Sequence, residues 1–161
     1  MNLKSIITVM ALILIMFMAA IETSIISLAL PTIKNSLNAG NLVSLVFTVY
    51  FIALVIANPI VGELMSRFKI INIAVVGVSL FALGSLMSGL SQTFTFLIIS
   101  RIVQGFGAGV MMSLSQIVPK LAFEIPLRYK IMGIVGSVWG ISSIIGPLLG
   151  LSLIHISDGA R

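Results

Sequence analysis

Five long apolar runs constrain what this chain can fold into. They cover about residues 5–30, 42–61, 70–90, 94–116 and 131–150, and short stretches with charges, prolines or glycines separate them. A helix needs about 20 apolar residues to cross the hydrocarbon core of a bilayer, so each run can span a membrane. Only 8% of the 161 residues are charged, whereas soluble domains carry about 25%. The sequence therefore predicts an all-α transmembrane fold with five spans.

Two other interpretations of the apolar runs are disfavoured. Membrane-spanning strands would alternate apolar and polar residues over about ten positions, and the runs show no such alternation. The first run has Lys4 before it and the small pair Ala19-Ala20 within it, as a signal peptide would. Its apolar stretch nevertheless continues through Glu22 to Pro31, which is too long for a signal peptide.

The composition and the motifs argue against nucleic-acid binding, metal binding and catalysis. Nine basic and four acidic residues, spread along the whole chain, cannot form the dense basic face that nucleic acid requires. The chain has no cysteine, and its one histidine lies in the C-terminal tail. No HExxH, P-loop or GxSxG pattern occurs. We therefore predict a protein that is not an enzyme, holds no metal or other cofactor and binds no nucleic acid.

The basic residues predict how the spans are oriented. With a cytoplasmic N-terminus, six basic residues before the end of the fifth span fall on the cytoplasmic side and only Lys34 falls on the other. Cytoplasmic loops carry an excess of Lys and Arg, so this asymmetry predicts a multi-pass protein of the plasma membrane with its N-terminus inside. The six residues are Lys4, Arg67, Lys69, Lys120, Arg128 and Lys130.

Two charged residues lie within predicted spans. Glu22 is in the first run and Arg101 is in the fourth. A charge inside a bilayer costs at least about 2.5–3.5 kcal/mol, so such residues normally face a cavity or a partner. Counted from Pro31 and from Thr93, both charges lie roughly 12–14 Å below the outer surface at 1.5 Å per helical residue. They either address one aqueous cavity or form a static ion pair that only fixes helix packing.

Small residues follow the arginine in the fourth run. Arg101, Gln104 and Gly105 share one face of a helix because they are three or four residues apart. Gly105 and Gly109 form a GxxxG pair, which permits another helix to approach closely. In the fifth run, glycines recur before Pro147, which removes an intrahelical hydrogen bond. Close packing of helices alone would explain the glycines of the fifth run as well as a functional role would.

Four stretches carry recognisable motifs, in order along the chain. They are "IETSIISLALP" at 21–31, "GELMSRFKIIN" at 62–72, "RIVQGFGAG" at 101–109 and "GIVGSVWGISSIIGPLLG" at 133–150. These stretches resemble the first-span, loop, fourth-span and fifth-span motifs of the major facilitator superfamily, and within it those of the drug:proton antiporters. The residues that match the antiporter motif are Gly133, Gly146, Pro147 and Gly150.

The resemblance implies a fold and a function. The fold would be the first five spans of the N-terminal six-helix bundle of a transporter with twelve or fourteen spans. Its function would be proton-coupled export of hydrophobic or cationic drugs by alternating access. Glu22 would bind substrate or protons, and Arg101, with Gln104 in the same motif, would take part in proton coupling. The implied partners are the lipid bilayer, protons, these small molecules and the missing C-terminal half of the same transporter.

The loop motif departs from the family pattern. Gly62 and Arg67 match it as gating residues, but Ser66 replaces its aspartate and Lys69 its second glycine. The charge network that latches the cytoplasmic gate in the family is therefore expected to be altered or absent.

The end of the chain is unusual. Residues 151–161, "LSLIHISDGAR", begin where the antiporter motif requires a further glycine, and their first seven residues, LSLIHIS, resemble the translation of a transposon-end sequencing adapter. We therefore expect a native transporter fragment at 1–150 and a non-native tail, the alternative being an ordinary short extracytoplasmic tail. A different functional class, a small non-transporting membrane protein or assembly partner, stays open. A nutrient importer of the same fold is disfavoured by the fifth-span motif.

Overall fold

Five long α-helices make up nearly all of the part of the chain that the structure describes. The structure is a computed structural model that describes residues 2–159, and this described part contains no strand. Each of the five helices is long and apolar enough to cross a membrane. The predicted all-α fold with five apolar helices is therefore confirmed. In order, the elements are α1 (Leu3–Ser36), a 3₁₀ turn (Gly40–Ser44), α2 (Leu45–Arg67), α3 (Ile70–Gly89), α4 (Phe94–Ala122) and α5 (Ile125–Gly159).

Several helices extend beyond the predicted apolar runs. Pro31 lies inside α1, which ends only at Ser36. Proline removes one intrahelical hydrogen bond, but long membrane helices tolerate this loss because neighbouring groups can satisfy the freed carbonyl. Helix α5 includes residues 151–159, whereas 160 and 161 of the predicted tail lie outside the described residues. That 151–161 are non-native stays a prediction.

The segment between the second and third spans is shorter than expected. Helix α2 continues through Gly62 to Arg67, so only residues 68–69 separate it from α3. Arg67 donates from Nε and Nη2 to the same carboxylate oxygen of Glu63, at 3.0 and 2.7 Å. Pairs four residues apart stabilise an exposed helix by about 0.3–0.5 kcal/mol. This pair therefore helps the helix to continue where the sequence had predicted a loop.

The contacts divide the chain into two compact units. The first unit is Met1–Pro31 with Ser115–Arg161, and the second unit is Thr32–Leu114. In the first unit, α5 packs on α1, since Gly146 abuts Ser24 and Gly150 abuts Leu28. In the second unit, residues 94–114 of α4 pack against both α2 and α3.

Helix α4 is the most buried of the five helices in the described residues. In the most apolar 18-residue stretch of α4, 56% of the residues are buried, whereas 22–28% are buried in the corresponding stretches of the other helices. Small residues make this burial possible on two sides of α4. Gly109 lies against the backbone of Leu54 and the side chain of Ala57 in α2, and Gly107 lies against the backbone of Phe81 in α3.

Candidate functional site

A fully buried arginine is the centre of the candidate site. The side chain of Arg101 is 0% exposed, although it lies in an apolar helix of the second unit. It is seven residues after the start of α4 at Phe94, which places it about 10 Å along the helix axis. A cation removed from water in this way requires hydrogen bonds or other compensating partners.

Groups from two helices surround the guanidinium. Nε donates a hydrogen bond to the backbone carbonyl of Val46 in α2 at 3.2 Å. Nη1 donates to Oε1 of Gln104, one turn further along α4, at 2.9 Å. The ring of Tyr50 in α2 lies with its centroid 4.3 Å from Cζ of Arg101. Gln104 and Tyr50 are each 1% exposed, so this cluster is sealed from solvent.

The hydrogen bonds and the ring contact of Arg101 involve a buried charge, so each contributes more free energy than the same contact between neutral or exposed groups. Hydrogen bonds that involve a charged group contribute about 1.5–3 kcal/mol each. A cation over a desolvated aromatic face adds about 2 kcal/mol. Together they offset part of the cost of burying the guanidinium. The result is a permanent positive charge, held in one orientation inside a low-dielectric surrounding.

Glycines on α3 and α4 bring the polar groups into contact. At Gly105, a side chain would collide with the carbonyl of Tyr50 and with Cβ of Ala53, the latter 2.9 Å from an ideal Cβ. At Gly84 of α3, an ideal Cβ would lie 2.6 Å from the backbone nitrogen of Gln104. Because both sites lack a side chain, α2 reaches Arg101 and α3 covers Gln104.

The contribution of α2 was not predicted from the sequence. Val46 and Tyr50 are four residues apart and so share one face of a helix, which is the available signal. The identities of the two residues do not predict the contact. Any residue at position 46 would supply a backbone carbonyl, and an aromatic residue in an apolar run is normally a packing residue. Tyr50 is one of only two tyrosines in the chain.

Glu22 belongs to the first unit and is half-buried on α1. The next two residues turn their hydroxyls onto their own helix: Thr23 donates to the carbonyl of Ala19 at 3.1 Å, and Ser24 to that of Ala20 at 3.3 Å. Glu22 therefore begins a short polar segment, residues 22–24, in a largely apolar part of α1. Its pairing with Arg101, which lies in the second unit, stays a prediction.

The fifth-span residues divide into two groups. Gly146 and Gly150 face Ser24 and Leu28 of α1 within the first unit, and Pro147 between them lies inside the continuous α5. At Gly133, by contrast, an added Cβ would meet no atom of the described chain within 4 Å. Its packing role stays a prediction. Gly62 of the loop motif has similarly open surroundings.

Comparisons with known proteins agree with this architecture. The sequence profile of the Major Facilitator Superfamily matches residues 12–158. The chain is 78% identical over 157 residues to the multidrug efflux pump SdrM of Staphylococcus aureus (strain N315), and the match covers 98% of this chain. It is 31% identical over 147 residues, 91% of this chain, to the multidrug transporter protein MdtP of Bacillus subtilis (strain 168). It is 35% identical over 140 residues, 87% of this chain, to the MFS-type efflux pump LUC4 of a Fusarium species.

The matches cover only part of each relative. The chain spans 35% of the length of the staphylococcal pump. It spans 27% of the Bacillus transporter and 25% of the Fusarium pump.

Proposed function

Since the chain belongs to the major facilitator superfamily, we propose that it supplies the first five membrane spans of a proton-coupled exporter of hydrophobic or cationic drugs. The observation that carries the proposal is the buried cluster of Arg101, Gln104 and Tyr50 within apolar helices. Enclosing a cation among apolar helices costs desolvation free energy, and an ionisable residue inside a membrane segment commonly marks a functional site. Similarity to proteins named as multidrug efflux pumps supports drugs as the substrate class. In this proposal the remaining spans complete the transporter.

The two intramembrane charges have different roles in the proposed mechanism. An arginine keeps its proton in proteins, so Arg101 supplies a fixed positive charge and does not carry the coupled proton. A carboxyl group can bind and release a proton, and Glu22 is the acidic residue of the first span. Proton binding and cationic drug binding would compete at Glu22. Alternating access would then exchange one for the other across the membrane.

The experiment that tests the proposal uses the full-length protein in liposomes. An imposed pH gradient should drive uptake of a fluorescent hydrophobic cation into inside-out oriented vesicles, and a protonophore should stop it. The 161-residue chain by itself should transport nothing, because alternating access requires a second bundle. A full-length protein that binds such cations but ignores the pH gradient would refute the coupling.

Replacing Glu22 by glutamine in the full-length protein should separate substrates by charge. Export of cationic drugs should fall at least about tenfold, because losing a countercharge within a membrane removes an interaction worth more than 1.4 kcal/mol. Export of neutral drugs should partly persist. Glu124→Gln is a matched control, since Glu124 is exposed and lies between α4 and α5, outside the motifs. If Glu22→Gln, at normal expression, exported both cationic and neutral drugs at the wild-type rate, Glu22 would have no role in the mechanism.

The proposed topology places the N-terminus and the α2–α3 connection in the cytoplasm. The chain contains no cysteine, so a single introduced thiol reports its own side of the membrane without background. Ser66 is exposed near the end of α2, and Ser36 is exposed at the end of α1. An impermeant maleimide applied to intact cells should label Ser36→Cys and miss Ser66→Cys. The reverse pattern would invert the topology.

A further inference from the structure

We propose that Tyr50 is a positioning residue that aims the Arg101 guanidinium at Gln104 during transport. This inference rests on the proposed function for its role in transport. The contact itself can be tested without any transport assay. The sequence motif that contains Arg101 and Gln104 lies entirely in α4. Tyr50 therefore adds a residue of a second helix, α2, to that site.

The geometry places Tyr50 on one wall of the guanidinium. Its ring centroid is 4.3 Å from Cζ of Arg101, which is within the range of a direct cation–π contact. Val46, one turn earlier on the same helix, accepts the Nε–H hydrogen bond. Helix α2 therefore holds the guanidinium through two contacts, the hydrogen bond from Nε and the ring of Tyr50. With those two contacts made, Nη1 points to Oε1 of Gln104.

Of the two contacts that α2 makes with Arg101, only the one from the Tyr50 ring depends on the type of side chain. The Val46 carbonyl is present whatever side chain stands at that position. The aromatic face exists only while residue 50 is aromatic. An aliphatic residue at position 50 would fill similar space but offer no negative π face, so the guanidinium would keep its hydrogen bond to Val46 and lose the ring contact that helps to orient it.

The neighbouring aromatic residue provides a matched control. Phe51 is 43% exposed, and its ring meets that of Tyr50 edge-on at 5.4 Å. Its ring stacks on Phe47 at 6.4 Å. Phe51→Leu therefore removes an aromatic ring from the same helix turn but leaves the ring over Arg101 in place.

The contact can be measured in the 161-residue chain itself. The chain has four arginines, so selective ¹⁵N labelling of arginine in detergent micelles gives few Nε–H signals, assigned with Arg101→Lys. The Arg101 signal should show a ring-current shift and exchange with water at least about tenfold more slowly than that of exposed Arg67, since burial blocks solvent access. Tyr50→Phe should preserve both properties. Tyr50→Leu should abolish the shift and accelerate exchange at least about threefold, whereas Phe51→Leu should not.

An unchanged Arg101 signal in Tyr50→Leu would overturn the proposal. Circular dichroism checks the fold of each variant. If Tyr50→Leu unfolds, Tyr50→Met supplies the same test with a flexible side chain that fills irregular space. Retention of the shift in Tyr50→Met would equally contradict the proposed contact.

Transport by the full-length protein tests the role of the contact. Tyr50→Leu should lower the maximal rate of proton-driven export about fivefold or more, with KM within about twofold, because orientation of Arg101 serves the cycle and not substrate affinity. Tyr50→Phe should restore the rate. Normal rates for Tyr50→Leu would reject the positioning role even if the contact is present. Absence of proton-driven transport in the wild-type protein would refute the proposed function and leave the NMR result standing.

Discussion

Replacing Arg101 by alanine in the full-length transporter should reduce proton-driven drug export at least about a hundredfold, equivalent to about 2.7 kcal/mol or more. The substitution removes the fixed positive charge and leaves the Gln104 amide oxygen without this donor in a buried site. Arg101→Lys should recover only part of the rate. A lysine ammonium is a point charge without the planar fork, so it cannot reproduce the hydrogen bonds to Val46 and Gln104 together with the contact with the ring of Tyr50. Export should be measured against the size of the imposed pH gradient.

A matched substitution separates this effect from general damage. Arg128→Ala removes an arginine that donates to the carbonyls of Phe123 and Lys120 at the end of α4. Such a capping interaction stabilises a helix end by about 0.5–1.5 kcal/mol, so its loss should lower expression slightly and leave coupling intact. Normal pH-driven export by Arg101→Ala at equal expression would contradict the assigned role.

The static ion-pair alternative makes a different prediction for the two intramembrane charges. If Glu22 and Arg101 only fix packing, each single neutralisation should lower expression, since one buried charge remains unpaired. Exchange of the two residues should then recover both expression and transport. Our proposal expects the exchanged protein to remain inactive, because the Arg101 contacts with α2 would be lost.

Replacing Gly107 by valine should prevent stable assembly of the second unit. An ideal Cβ there would lie 2.7 Å from the carbonyl oxygen of Gly77 and 2.8 Å from Cα of Phe81. These are backbone atoms, so α3 itself would have to move away from α4. Overpacking of this kind costs about 3 kcal/mol or more at a rigid contact. Thermal unfolding of the 161-residue chain in detergent, followed by circular dichroism, should show a lowered midpoint or no cooperative transition.

Gly136→Val on α5 is the control for this experiment. An added Cβ at Gly136 meets no atom of the described chain within 4 Å. The same chemical change should therefore leave the unfolding midpoint nearly unchanged. Equal midpoints for the two variants would show that α3 and α4 do not pack closely at Gly107.

The sequence predicted the helices well because their cause is local. Apolar length alone predicts a helix that can span a membrane, and residues 2–159 form five helices of that length and composition. Helix ends were less predictable. Pro31 was treated as the end of the first run, yet α1 continues to Ser36. Whether a proline ends a membrane helix depends on groups around it, and sequence spacing carries no information about those groups.

Only the residues that α4 contributes to the candidate site could be predicted from the sequence. Arg101 and Gln104 stand out as polar residues in an apolar run, and helical spacing places them on one face. Their partner helix did not stand out, since its contribution is the carbonyl of Val46 and the ring of Tyr50. The fifth span shows the same limit. Gly133 and Gly146 belong to one motif, but only Gly146 has a neighbouring helix against it among the described residues.

The glycine contacts of α4 have a mechanical consequence. Gly105 and Gly109 rest on the backbone of α2, while Gly107 rests on that of α3. Where two helices touch through glycines, sliding one along the other would bring larger side chains into the glycine positions, so the helices must separate before they can slide. We therefore expect these three helix segments to move through any transport cycle as one stiff block. Flexing would then be confined to joints outside it, and crosslinks placed between α2 and α3 should leave turnover unimpeded.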